Sequence, residues 1–133
     1  MRKIFLLALL AVFSSSAVAD WVSVGNAGGE MTTYVSPATI LREGDRVKIS
    51  YMHDYKTVQE SAGERYQSAT FQAEFDCKET KSRILSYWWY AKNKGLGDVV
   101  YADSSPTNWS TVFPDTEAEA ILKYACEKRW WHF

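Results

Sequence analysis

The stretch Tyr66-Gln67-Ser68-Ala69-Thr70-Phe71-Gln72-Ala73-Glu74-Phe75-Asp76-Cys77 decides the fold. Ala69, Phe71, Ala73, Phe75 and Cys77 alternate with Thr70, Gln72, Glu74 and Asp76. Successive strand side chains point to opposite faces, so this period of two describes a strand with one face in a core. The cysteine belongs to the apolar set. Upstream, Val47, Ile49, Tyr51, His53 and Tyr55 alternate in the same way with Arg46, Lys48, Ser50, Met52 and Asp54.

Turn residues break the region from Trp21 to about Tyr101 into short β-type runs. They fall at Gly25 to Gly29, at Glu43-Gly44-Asp45, at Ser61-Ala62-Gly63-Glu64 and at Lys94-Gly95-Leu96-Gly97. An antiparallel meander is the simplest chain path through them. The mixed-sign cluster from Lys78 to Arg83 reads as a solvated hairpin turn. After a Ser/Pro/Thr/Asn-rich linker, Thr116 and Glu119 have the spacing of a helix capping box, with Pro114 just ahead and Glu117 in the first turn. Ala118, Ile121, Leu122, Ala125 and Cys126 then mark one face of a helix.

Cys77 thus points to the apolar face of a strand and Cys126 to the apolar face of the helix. An exported chain with two cysteines pairs them as a rule, so one disulfide is expected across the sheet–helix interface. The fold class is α+β, a twisted antiparallel sheet meander with the C-terminal helix packed on one face.

Export is read from the first 19 residues. Arg2 and Lys3 precede an apolar run from Ile4 to Phe13, and Ala17-Val18-Ala19 offers a cleavage site. That run is too short to span a bilayer, which needs roughly 18 or more apolar residues. Cleavage leaves a single domain, 20–133, with 13 basic and 16 acidic residues and no later run of transmembrane length. A net charge of −3 argues against a phosphate-backbone partner, so no nucleic acid is expected. The product belongs outside the cytoplasm, free in an oxidising compartment or held to a surface by other proteins.

Catalytic signatures are missing. The chain has no G-x-S-x-G elbow, no Walker loop, no G-x-G-x-x-G and no H-E-x-x-H. Its two histidines are His53, on a strand, and His132, beside the C-terminus, and neither has a serine in a strained-turn context. His53 and Asp54 are adjacent on a strand and point to opposite faces, which does not suit a shared metal ion. No enzyme activity, cofactor or metal is expected. Asn108-Trp109-Ser110 fits the glycosylation pattern but reads as a turn with a buried Trp109.

The aromatics carry the remaining information. Tyr87, Trp88, Trp89 and Tyr90 are consecutive, so two must face away from the other two. Trp88 and Tyr90 read as the outward pair, because Ser86 shares their series while Leu85 continues that of Tyr87 and Trp89. Arg83 and Ile84 point the other way. Trp130, Trp131 and Phe133 form a second aromatic group past the helix. Trp88, Tyr90, Trp130 and Trp131 are therefore the candidate protein-binding residues, since Trp and Tyr are enriched where proteins bind one another.

Two blocks resemble the surface-adhesin protein E family, a group of small exported proteobacterial proteins. One is Tyr66-Gln67-Ser68 leading through Glu74-Phe75-Asp76-Cys77 to Arg83. The other is Trp109-Ser110-Thr111-Val112-Phe113-Pro114 leading through Glu119 to Cys126. Trp21-Val22-Ser23-Val24, Tyr34 and Val47-Lys48-Ile49 are also similar to the family. The resemblance implies an antiparallel sheet with helix packing and a cysteine pair. It also implies binding to host matrix or serum proteins, and a possible homodimer. It transfers no binding role to particular residues, because the matching positions are scaffold. The lipobox cysteine that would tether a member to the outer membrane is missing here. An alternative reading is a periplasmic structural or accessory subunit of an envelope complex.

Overall fold

Seven strands and one helix make up the computed structural model, which describes residues 20–127. The segment 1–19 read as a signal peptide, and the C-terminal Trp130, Trp131, His132 and Phe133, lie outside the described residues. The strands are β1 (Val22–Ala27), β2 (Met31–Glu43), β3 (Arg46–Ser61), β4 (Glu64–Asp76), β5 (Lys81–Tyr90), β6 (Val99–Asp103) and β7 (Ser110–Thr111); helix α1 is Glu117–Glu127. Strands β1 to β6 lie side by side in sequence order and antiparallel, and β7 pairs with the other end of β5. The meander expected from the turn residues is the fold observed.

The two alternating stretches are neighbours, with Val47 opposite Phe75, Ile49 opposite Ala73 and Tyr51 opposite Phe71. Their hairpin turns at Ala62 and Gly63, both with positive φ (52° and 80°). A two-residue hairpin loop of this hand needs left-handed backbone at both positions, which suits the twist of the flanking strands. The expected break at Gly25 to Gly29 is shorter than its glycines suggest, since β1 runs on to Ala27 and the turn occupies residues 28–30.

Helix α1 starts where the capping residues place it. Thr116 Oγ1 accepts from the Glu119 amide at 3.2 Å, and Glu119 Oε1 accepts from the Asp115 amide at 3.0 Å. Side chains thereby satisfy donors that a helix N-terminus leaves without partners. The helix lies across β1, β2 and β3. Ile121, Ala125 and Cys126 are buried with Val35, Val47, Ile49, Tyr51, Ala73 and Phe75. Each large aliphatic side chain so removed from water contributes about 1.5–3 kcal/mol. The Cys77–Cys126 disulfide joins the end of the sheet to the last turn of the helix, with Cα atoms 5.9 Å apart.

The sheet departs from simple alternation in two places. Leu85 is an extra residue in β5: Ser86 faces Gln72 and Ile84 faces Ala73, so the register shifts between them. Such a bulge inverts the phase of the side chains along the strand. Ile84 therefore packs with the helix-side core, and Tyr87 and Trp89 also face the helix side. The conflicting hints from Arg83 and Ile84 come from this bulge.

The second departure is Met52, which alternation assigns to the wetter face but which is fully buried. The segment after β5 folds back over that face as a short 3-10 turn, Asn93–Gly95. Asp54 Oδ1 accepts from Asn93 Nδ2 at 3.0 Å and from the Lys94 amide at 2.8 Å. Buried Ser68 donates to Lys92 O at 2.6 Å and accepts from the Gly95 amide at 2.8 Å. The segment closes over Met52, and Lys94 Nζ sits 4.6 Å from the Tyr34 ring centroid.

Trp109 is half-buried, not enclosed in the core. It lies on the sheet face away from the helix, with the guanidinium carbons of Arg83 and Arg46 at 4.7 and 5.1 Å from its ring. Glu74 holds Arg83 in place through Oε1, which accepts from Nε at 3.0 Å and Nη2 at 2.8 Å.

Candidate functional site

The helix covers only the β1–β3 side of its face. On the β3–β6 side the same face carries a network of rings built by strand register. Phe71 on β4 is opposite Tyr51 on β3 and Tyr87 on β5. Trp89 is opposite Ala69 and, on β6, Tyr101. Cross-strand neighbours on one face have Cβ atoms close enough for rings to touch.

The contacts run from strand to strand without a gap. Tyr51 stacks on Phe71 (centroids 4.7 Å, planes 15° apart) and Tyr66 on Trp89 (4.4 Å, 18°). Phe71 meets Tyr87 at 5.9 Å, and Tyr101 meets Trp89 at 4.8 Å and Tyr87 at 6.0 Å. His53 lies 4.8 Å from Phe71, and Tyr55 bridges His53 to Tyr66 by edge contacts at 6.1 and 5.8 Å. Of these eight rings only Tyr51 is buried; Tyr101 is exposed and the others are half-buried. The patch combines apolar area, rigid rings and hydroxyl groups, the composition favoured at protein–protein contacts.

Where the patch meets the helix, Glu117 locks the two together. Thr33 Oγ1 donates to its Oε1 at 2.8 Å, and His53 Nε2 lies 2.8 Å from Oε2. The carboxylate can only accept, so Nε2 carries the proton. Burial works against the charge on Glu117, but the hydrogen bond and charge of His53 and the hydroxyl of Thr33 outweigh it, and the carboxyl is held below its ordinary value. The Thr33 hydroxyl bonds the carboxylate, not the imidazole, so the trio anchors the helix to β2 and β3, while the Tyr55 hydroxyl lies 3.5 Å from His53 Nδ1. Among the described residues no group of three or more metal-ligating side chains converges.

Tyr51, Tyr55 and Tyr87 are each held protonated beyond the ordinary tyrosine value. Burial pushes Tyr55 up to about 12, with Tyr66 and Glu117 adding to the shift. Burial also raises Tyr51 strongly, with Glu117 and Tyr55 contributing. Tyr87 is raised by desolvation, then by Tyr101 and Asp103. These hydroxyls are donors at any physiological pH.

Trp88 and Tyr90 point to the face away from the helix, half-buried, next to the folded-back segment. Trp88 is opposite Thr70 and Ala102, and Thr70 Oγ1 donates to the Tyr90 hydroxyl at 3.4 Å. They make none of the ring contacts of the opposite patch. Trp130 and Trp131 lie outside the described residues. Tyr55, Tyr66, Tyr87, Trp89 and Tyr101 are not among the candidates that the sequence singles out. The alternation Tyr51, His53, Tyr55 is visible there as an apolar face, but its continuation on β4, β5 and β6 depends on register.

Comparisons with known proteins agree on one relationship. No curated protein matches the sequence. A structure of Haemophilus influenzae protein E matches with a TM-score of 0.65 at 12% identity, covering 90% of this chain and 92% of that one. A crystal structure of protein E from non-typeable Haemophilus influenzae gives 0.67 at 10% identity, with 89% and 82% covered. Crystal form II of Haemophilus influenzae protein E gives 0.62 at 14% identity, with 84% and 98% covered. At these identities the structures establish a shared fold. The family model described as surface-adhesin protein E matches residues 21–127, and the chain belongs to that family of exported bacterial surface proteins.

Proposed function

We propose that this chain is a non-catalytic protein-binding module that works outside the cytoplasm and contacts its partner through the aromatic half of the sheet. The observation that carries this reading is the ring network that runs outward from buried Tyr51 to Tyr101, held by cross-strand stacking, whose outer members the helix leaves uncovered. Rigid aromatic side chains give large contact area for little loss of conformational freedom on binding. Trp88 and Tyr90, on the opposite face, form a separate and smaller candidate contact. Host matrix or serum proteins are the partner class that membership of an adhesin family favours.

The test combines location with retention. Antibody or protease accessibility on intact cells would show the mature chain outside, and purified chain would bind at least one member of an immobilised panel of matrix and serum proteins. A chain found only in the soluble periplasm, with nothing retained from the panel, would contradict the proposal and favour an envelope accessory subunit.

A further inference from the structure

The ring network ends at an open sheet edge. Among the described residues β6 is paired with β5 on one side and with no strand on the other. Natural edge strands are usually guarded by Lys, Pro or a covering element. Within β6, Val99-Val100-Tyr101-Ala102-Asp103, there is no Lys and no Pro, and Val99 and Tyr101 are 50% and 38% exposed. The inner side of Tyr101 is taken by Trp89 and Tyr87, and no ring or cation among the described residues occupies its outer side.

Asp98 precedes β6 and Asp103 ends it, and β6 itself contains no Lys, Arg or His. Lys92 packs against Gly97 at the Asp98 end, and Asp103 Oδ1 accepts from the Ser105 amide at 2.7 Å. Neither Asp98 nor Asp103 has an ion-pair partner among the described residues. Asp103 is two residues from Tyr101, hence on the same face, and lies opposite Tyr87. The chain does use guanidinium against aromatic faces elsewhere, at Trp109.

We propose that the outer edge of β6 receives an extended segment of the partner protein as an added strand, with an arginine of that segment placed against Tyr101. The proposal deepens the protein-binding reading and rests on it. Strand addition satisfies the free backbone groups of the edge. A planar guanidinium continues the ring stack by one member, and the Asp103 carboxylate lies within diagonal cross-strand reach of its charge. Affinity comes from the backbone and the choice of partner from the cation.

The test uses two synthetic peptides, acetyl-Thr-Val-Thr-Arg-Thr-Val-Thr-amide and the same peptide with Glu for Arg, titrated into the isotope-labelled mature chain. The expected result is shifts concentrated in amides of β6, with the Arg peptide binding about tenfold tighter than the Glu peptide. That preference falls severalfold in Asp103→Asn, and N-methylation of the peptide on its pairing edge abolishes binding. Shifts confined to other strands, equal affinity for both peptides, insensitivity to N-methylation, or no binding at millimolar peptide would overturn it. Protection of β6 that grows with protein concentration in the absence of peptide would show a second copy at this edge and also overturn it. The peptides need no natural partner, so their failure leaves the panel experiment to judge the wider reading.

Discussion

The ring of Trp89 on β5 stacks on that of Tyr66 on β4, 4.4 Å between centroids and 18° from parallel. This contact joins the β3–β4 hairpin to β5 within the aromatic patch. Stacked pairs contribute about 0.5–1.5 kcal/mol beyond the area they bury. A double-mutant cycle with Tyr66→Ser and Trp89→Ser, read by urea unfolding, should return a coupling energy in that range. Additivity of the two changes would show that the rings pack independently.

The disulfide should dominate the stability of the domain. Cys77 and Cys126 are separated by 49 positions, and closing a loop of that length restricts the unfolded chain by about 4 kcal/mol. Replacing both with Ser should cost about 2–5 kcal/mol in urea melts. Mass spectrometry of alkylated, unreduced protein should find no free thiol; two alkylated cysteines would contradict the structure.

Acid should weaken the helix anchor in a defined direction. The Glu117 carboxyl is held below its ordinary 4.5, so as pH falls the unfolded state takes up its proton first. The contribution of this contact is complete above pH 4.5 and is lost as pH drops through the lower folded-state value. Urea midpoints measured from about pH 6 to about pH 3 should fall more steeply in the wild-type chain than in Glu117→Gln. Parallel curves would remove Glu117 from the account.

Ser68 is the buried pin of the folded-back segment, with one hydrogen bond given to Lys92 O and one taken from the Gly95 amide. Ser68→Ala leaves both backbone groups without that partner, at a cost of about 1–3 kcal/mol. Hydrogen exchange at Gly95 should accelerate while amides of the β2–β3 ladder keep their protection. Gly97→Ala should loosen the same segment by another route, since its φ is +81° and an added Cβ would lie 2.9 Å from Lys92 Cγ.

Much of this molecule is legible in the order of its residues, because its main signals are local. The alternation around Phe75, the capping residues at Thr116 and the helix face of Ile121 and Cys126 each describe one element and its buried side. What escapes such a reading depends on long-range register. The bulge at Leu85 has no local mark, so the series of Ile84 and Tyr87 looks inconsistent when both face the helix side. Alternation puts Met52 on the wetter face because the segment that covers it, Asn93–Gly95, arrives much later in the chain. Trp109 reads as a core ring, since nothing near it in sequence announces the arginines from β3 and β5. The aromatic patch is hidden for the same reason: its rings come from four strands, and the local alternation that shows Tyr51, His53, Tyr55, Phe71, Tyr87 and Trp89 on their own strands does not show that they meet.

The central claim, that the aromatic half of the sheet is the contact surface, is tested most directly by two double variants compared in one binding assay. Trp89→Ser with Tyr101→Ser removes the outer end of the helix-side network, and Trp88→Ser with Tyr90→Ser removes the opposite pair. With a partner retained from the matrix and serum panel, surface plasmon resonance should show at least about a thirtyfold loss for the first, the size expected when two aromatic contact residues are removed. The second should lose less, and near-ultraviolet circular dichroism should show both folded. Wild-type affinity in a folded Trp89→Ser, Tyr101→Ser chain would contradict the account.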